Sequence, residues 1–273
     1  MGNEMNRLWR VVALLSCALA VAVIAKAVTF GEPDGTRHPY VGTIIFQTPR
    51  GYFSCSGTLL SATVFLTAGH CTEEAGVPNL HTWAKFTPAI AFPGRENYAT
   101  LGDYLDDGKN GWIKGQAIAH PQYDDFSQFP ATFDVGVVVL KKRVTMSSYG
   151  ALPPEGFLAT VRSASANRFS VVGYGMQGFI APFLEDVYER YQGQVKLIEL
   201  NSTFDAGMSA KFTNNPGAGG GSCFGDSGGP IFYRDTNMVV AVVSWGITPC
   251  IGVDYQFRVD TALALDFLQR YVN

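Results

Sequence analysis

Charge is scarce in this chain: 16% of its 273 residues are Asp, Glu, Lys or Arg. A disordered chain would be charge-rich and poor in aromatics, whereas this one is 47% hydrophobic and 13% aromatic, so it can bury a core. No basic block interrupts a formal net charge of −3, which argues against nucleic acid as a partner. The 30 glycines follow no fixed period, which excludes a collagen-like helix. There is no internal repeat, and no long 3.6-residue periodicity before the C-terminus. No grouping of His, Cys, Asp or Glu has a metal-ligand spacing, so neither a metal nor a cofactor is expected. Cysteine is sparse and odd in number, at five. Length alone allows one or two domains.

The start of the chain accounts for the odd cysteine. Arg7 and Arg10 precede Val11 to Ala25, an unbroken run of small or apolar side chains, and Ala25-Lys26-Ala27 follows. That order is the n-region, h-region and A-x-A site of a secretory signal. At about 1.5 Å per residue the run is too short for a hydrocarbon core of ~30 Å. Residues 1–27 therefore read as a signal peptide, the mature protein as secreted (extracellular or periplasmic), and no membrane association is expected afterwards. Cleavage removes Cys17 and leaves Cys55, Cys71, Cys223 and Cys250. An even set in an exported chain reads as two disulfides, with three pairings open.

Beyond the leader, short runs rich in Val, Ile, Thr and Phe alternate with Gly, Pro, Asn and Asp. Val41–Phe46, Thr58–Thr67, Gln116–Ala119, Val135–Leu140, Phe169–Val172, Gln194–Leu200, Pro230–Tyr233 and Val239–Val243 all read as strands. At the end, Asp260 or Thr261 can cap a helix with an apolar stripe of Leu263, Phe267, Leu268 and Tyr271. The pattern predicts an all-β barrel or sandwich closed by one C-terminal helix.

Three segments carry chemistry: Thr67-Ala68-Gly69-His70-Cys71, Phe133-Asp134-Val135 through Leu140, and Gly225-Asp226-Ser227-Gly228-Gly229-Pro230. A serine hydroxyl is a weak nucleophile at neutral pH and needs an imidazole to take its proton. The imidazole needs a buried carboxylate to fix its tautomer and stabilise its cation. Glycines beside the serine let backbone N–H groups converge on a developing oxyanion. His70, Asp134 and Ser227 supply those types. His38, His81 and His120 lack such surroundings and read as structural or surface groups, and Asp124 and Asp125 as a solvated loop. Asn201-Ser202-Thr203 spells a glycosylation sequon, taken as a chance occurrence.

These segments resemble the signature motifs of the chymotrypsin-like, or trypsin-family, serine endopeptidases. His120-Pro121-Gln122-Tyr123, Gly173-Tyr174-Gly175 and Ser244-Trp245-Gly246 extend the likeness over Val28 to Asn273. The resemblance implies two antiparallel six-stranded β-barrels with a C-terminal helix. Residues 28–145 would form the first, carrying His70 and Asp134, and residues 146–273 the second, carrying Ser227. It implies His70 as general base, Asp134 as its orienting carboxylate, Ser227 as nucleophile and the N–H groups of Gly225 and Ser227 as oxyanion hole. Ser244 is expected beside Asp134. The backbone of Ser244, Trp245 and Gly246 would pair with an extended substrate. Family pairing gives Cys55–Cys71 and Cys223–Cys250. The implied activity is peptide-bond hydrolysis through an acyl-enzyme by a monomer whose partners are protein substrates and protein inhibitors. The alternative is a protease fold that has lost catalysis and serves as a binding module.

The chain also departs from the family. No basic residue followed by Ile-Val-Gly-Gly marks a zymogen cleavage site. Instead Val28-Thr29-Phe30-Gly31 follows the leader directly, and the distance from Val28 to His70 is close to the spacing the family uses. Signal cleavage is therefore expected to release the α-amine of Val28 to pair with Asp226. The stretch between His70 and Asp134 is longer than in a minimal member, an excess that surface loops absorb at small entropic cost. Gly221, six residues before the serine, stands where the family sets its pocket floor. It carries no charge, so an apolar primary specificity is expected. How 250–255 aligns stays open: Gly252 would leave the pocket open, Val253 would part-fill it, and an inward Asp254 would bring back basic side chains.

Overall fold

The computed structural model describes residues 28–74, 76–162, 166–177, 188–200, 206–247 and 250–272. The signal segment 1–27 and the Asn201 sequon lie outside them. In the N-terminal half the strands are β1 (Glu32–Pro33), β2 (Val41–Thr48), β3 (Gly51–Leu59), β4 (Val64–Thr67), β5 (Glu73–Glu74), β6 (Val77–Pro78), β7 (His81–Lys85), β8 (Ile113–Ala119) and β9 (Gly136–Leu140), with helix α1 (Leu101–Asp106). The C-terminal half holds β10 (Phe169–Gly173), β11 (Tyr191–Val195), β12 (Leu197–Glu199), β13 (Ser209–Asn214), β14 (Pro230–Tyr233), β15 (Val239–Gly246), β16 (Gly252–Arg258) and helix α2 (Ala262–Val272).

Six strands close into an antiparallel barrel in the order β2-β3-β4-β9-β8-β7. Ile44, Leu59, Phe65, Leu66, Trp83 and Val137 on its strands are all fully buried, each aliphatic or phenyl group worth about 1.5–3 kcal/mol of transfer free energy. The second sheet has eight strands in the order β1-β11-β10-β14-β15-β16-β13-β12. It curls into a half-barrel because β11 runs through Lys196 straight into β12, at the opposite end of that order. Thr213 N donates to Lys196 O, and Lys196 N to Thr213 Oγ1, each at 2.9 Å. The all-β architecture with a C-terminal helix is as the sequence implies. The second unit differs in being an open, curled sheet lengthened by the two short strands β1 and β12.

Other differences have local causes. Thr58–Thr67 is not one strand: Leu60 N donates to Val64 O, and a turn separates β3 from β4. Strands β7, β13 and β16 escaped the sequence reading. In β13 and β16 the cause is plain, since buried Ser209, Asn214, Asp254 and Gln256 break the apolar pattern. β1 pairs with β11, so the first described residues join the second sheet rather than the first barrel. A buried ion pair fixes them there. Arg190, 1% exposed, donates from Nε to Asp34 Oδ2 at 2.7 Å, and Asp34 also holds His38.

Of the two candidate caps of α2, Thr261 serves: its Oγ1 accepts from Ala264 N. Asp260 instead accepts from Leu158 N and pairs with Arg258. The helix buries Ala264, Phe267 and Leu268, and Phe267 meets the ring of His120, which also stacks on Phe133. Helix α2 thus closes against the segment leading to Asp134. No helix among the described residues is long and apolar enough to cross a membrane.

Candidate active site

Strand pairing brings His70 and Asp134 together. β4 and β9 are hydrogen-bonded neighbours with Thr67 opposite Gly136. His70 sits just past the end of β4, in the short 3-10 turn Gly69–Cys71, and Asp134 just before the start of β9. His70 Nδ1 lies 3.1 and 3.0 Å from Asp134 Oδ1 and Oδ2, and His70 N donates to Oδ1 at 2.9 Å. Ser244 Oγ, from β15 of the other sheet, donates to Oδ2 at 2.5 Å. The disulfide Cys55–Cys71 ties the turn to β3.

The electrostatics follow from this arrangement. Burial alone would raise the fully buried Asp134 carboxyl, but the His70 charge and the donors from His70 and Ser244 outweigh it and hold the pKa below its ordinary value. Burial alone would lower the His70 pKa. The charge and hydrogen bond of Asp134, with the charge of Asp125, win and raise it. Such a ring keeps one nitrogen on a carboxylate and leaves the other for proton transfer.

Ser227 lies in a loop clamped to the first barrel. Ser56 N donates to Ser227 O, and Ser56 Oγ to Gly225 O, both at 2.8 Å. Gly225 and Gly228 have φ of +94° and +76°, a region that disfavours a Cβ. A Cβ at Gly228 would also fall 2.0 Å from Thr67 Oγ1, at the end of the strand that leads to His70. Phe224 O is occupied by Met176 N and Gly228 N is spent on Val243 O. Among the described residues, the N–H groups of Gly225 and Ser227 donate to no protein acceptor. Ser227 and His70 line one open cleft of about 850 Å³, together with Phe53, Glu73, Asp125, Tyr174 and Phe224. Their side chains form no hydrogen bond with each other among the described residues. Catalytic hydrogen bonds are often long before substrate binds.

Beside Ser227 opens a second cavity of about 240 Å³, walled by Ser222, Cys223, Ser244, Trp245, Gly246 and Asp254 among others. The disulfide Cys223–Cys250 braces it. Trp245 stacks flat on Tyr255, ring centroids 3.9 Å apart. Gly221, expected at an uncharged pocket floor, lies one residue before the wall residue Ser222. Gly221 does not line the cavity; a Cβ on it would lie 2.1 Å from the Asn214 side chain, which occupies that space. Of the three alignments left open, the inward Asp254 is the one found, because β16 pairs with β15 with Asp254 opposite Gly246. Gly252 and Val253 are not in the wall.

Asp226 is fully buried, accepting from Gly175 N at 2.8 Å and Cys223 N at 3.0 Å. Burial, helped by the charge of Asp254, pushes its pKa up to about 7 against these two donors. Among the described residues no Lys, Arg or His pairs with it. Val28 is buried and packs on Gly193. Next to it, Thr29 bonds to Asn214 Oδ1, placing the start of the described chain beside the pocket network.

Sequence reasoning missed Ser56, Asn214 and Asp125. The first two carry no motif, and their roles exist only through contacts 169 and 40 residues away along the chain. Asp125, expected in a solvated loop, lines the cleft with His70. Cys55, His70 and Cys71 bring ligand atoms within 4.8 Å of one another, but the two sulfurs are joined as a disulfide and offer no thiolate to a metal.

Known proteins resemble this chain in sequence and in fold. Residues 29–267 match the family described as Trypsin. Chymotrypsin-like elastase family member 1 of Felis catus is 26% identical over 210 residues, covering 74% of this chain and 71% of its own. The phenoloxidase-activating enzyme of Bombyx mori is 26% identical over 267 residues, 87% of this chain and 58% of its own. Among solved structures, HL collagenase superposes with a TM-score of 0.65 at 17% identity, covering 89% of this chain and 97% of that one. Human heparin binding protein follows at 0.61 and 20%, covering 90% and 97%. The chain belongs to the trypsin family of serine proteases.

Proposed function

We propose that the protein is a secreted, monomeric serine endopeptidase that cleaves protein substrates through an acyl-enzyme. The observation that carries this reading is the His70 ring held by both oxygens of a buried Asp134, on the wall of the cleft that Ser227 also lines. In the proposed sequence, Ser227 Oγ attacks the scissile carbonyl carbon while His70 Nε2 takes its proton. The carbonyl oxygen becomes an oxyanion facing the N–H groups of Gly225 and Ser227. Collapse breaks the C–N bond, and the imidazolium returns the proton to the leaving amine. Water, deprotonated by the same ring, then releases the acid and restores Ser227. Ser244 to Gly246 pair with the substrate backbone.

Val28 and Asp226 form the proposed activation pair. Cleavage after Ala27 would expose an α-amine, and its partner is the Asp226 carboxyl, which no Lys, Arg or His pairs with among the described residues. Sequencing the N-terminus of the secreted protein tests this: a start other than Val28 refutes it.

The second reading, a catalytically silent binding module, draws on a fold neighbour named for heparin binding, a likeness of fold alone. Ser227→Ala separates the two. An endopeptidase should lose on the order of 10⁴–10⁶ in turnover with little change in thermal stability. Hydrolysis unchanged by the substitution would rule out the proposed nucleophile.

A further inference from the structure

We propose that Ser56 is a positioning residue for the oxyanion site: its hydroxyl fixes the peptide unit that lies between the two N–H donors. The proposal rests on the endopeptidase reading and concerns how that same site is held.

Gly225 N and Ser227 N belong to the peptide units on either side of the one joining Gly225 to Asp226. In a trans peptide the N–H and C=O point in opposite directions, so holding a carbonyl on one side aims the N–H on the other. Met176 N holds Phe224 O at 2.7 Å, which aims Gly225 N–H. Gly229 N holds Asp226 O at 2.8 Å, which aims Ser227 N–H. The unit between them starts at Gly225, whose φ of +94° and missing Cβ leave rotation cheap. Its N–H, on Asp226, reaches Cys223 O at 3.0 Å, a contact inside the loop itself. Its carbonyl, Gly225 O, is tied to the first barrel by Ser56 Oγ at 2.8 Å.

The Ser56 hydroxyl is a directed donor. Tyr174 N donates to Ser56 Oγ at 2.9 Å. A backbone N–H only donates, so it takes an oxygen lone pair and leaves the hydroxyl proton for Gly225 O. Ser56 is fully buried, and its own backbone is fixed. It pairs with Thr43 of β2, its N donates to Ser227 O at 2.8 Å, and its O accepts from Thr67 Oγ1 at 2.9 Å. One residue thus carries the rigidity of the barrel to both neighbours of Asp226. None of these contacts reaches a reacting atom, so the effect of Ser56 falls on the oxyanion and not on the bound substrate.

Ser56→Ala removes the hydroxyl and keeps the backbone bonds. With rates normalised to sites titrated by a serine-reactive phosphonate, kcat should fall about 10- to 100-fold, and KM should stay within about twofold. A peptidyl trifluoromethyl ketone labelled with carbon-13 gives a second readout, because its hemiketal oxyanion occupies the same site. Its resonance should titrate about 1 to 2 pH units higher in the variant, the same factor read as proton affinity. A merely structural Ser56 would lower thermal stability or the titratable fraction and leave per-site kcat and the hemiketal titration as in wild type. That outcome overturns the proposal. A third arm needs no variant. In a crystal structure of the wild-type ketone adduct, Ser56 Oγ should stay within about 3.2 Å of Gly225 O while Gly225 N and Ser227 N bond the oxyanion. Both donors engaged with the Ser56 contact broken also overturns it. Labelled Ser227 with unchanged per-site kcat in the variant defeats this inference alone; failure of the phosphonate to label wild type defeats the endopeptidase reading with it.

Discussion

Asp134→Asn probes the hydrogen-bond pattern around the imidazole. Asp134 accepts three donors: the backbone N–H of His70, the His70 ring at Nδ1, and the Ser244 hydroxyl. A carboxylate satisfies all three because both oxygens only accept. The amide is nearly the same shape but turns one acceptor into a donor. If its oxygen keeps the backbone N–H, its NH₂ faces His70 Nδ1 and Ser244. Ser244 can rotate its hydroxyl and accept. The ring can accept only by moving its proton to Nε2, the nitrogen needed to deprotonate Ser227. The fold should survive while turnover falls by about 10⁴, a barrier increase of about 5 kcal/mol. The assay is kcat and KM on one peptide substrate, with circular dichroism as a fold control. Loss should appear in kcat with KM nearly unchanged. A well-folded variant retaining a tenth of wild-type turnover would refute this account of His70.

Other perturbations follow from the same contacts. Ser244→Ala removes one donor to a buried charge, worth about 1.5–3 kcal/mol, so kcat should drop roughly 10- to 100-fold; a change in KM alone would contradict the positioning role. Arg190→Met strands Asp34 in the interior and should cost about 3–5 kcal/mol in urea unfolding, whereas a surface-like loss below about 1 kcal/mol would show the pair to be unimportant. Replacing Cys55 and Cys71 by Ala opens a 16-residue loop and should cost roughly 3 kcal/mol, read from the same transition. Asp226 gives a pH signature. While the chain continues ahead of Val28, its carboxyl titrates near 7 folded but near 3.8 unfolded. The folded state then binds the extra proton, so the contribution of this group to stability is greatest below about pH 4 and is lost as pH rises to about 7, by on the order of 4 kcal/mol. Release of the Val28 amine should abolish that slope, and an identical pH dependence in both forms would argue against the ion pair.

The sequence disclosed the chemistry more readily than the surroundings. Thr67–Cys71 and Gly225–Pro230 are legible because each needs particular residue types within a few positions. Both disulfides join the pairs that the family resemblance implied, and the hydrogen bond from Ser244 to Asp134 was equally foreseeable. Strands with two buried faces, such as β9 and β15, were visible as apolar runs. β16 was not, because buried Asp254 and Gln256 look like surface residues until Ser222, Asn214 and Ser244 are seen to satisfy them. For the same reason the place of Asp254 in the pocket wall could not be read from the sequence. Whether position 221 or 254 faces the cavity depends on strand register and on the Asn214 side chain, which no local pattern reveals. The turn between Leu60 and Val64 was hidden within a stretch of apolar and hydroxyl side chains, where no glycine or proline marks a break.

Whether the Ser227 hydroxyl is activated by its neighbours can be read directly. Intact-mass and peptide-level mass spectrometry after brief exposure to a fluorophosphonate should find a single adduct, on Ser227, that forms quickly in wild type and fails to form in His70→Ala or in urea-unfolded protein. An adduct absent from the folded wild type, or formed equally well without His70, would contradict the proposed catalytic centre.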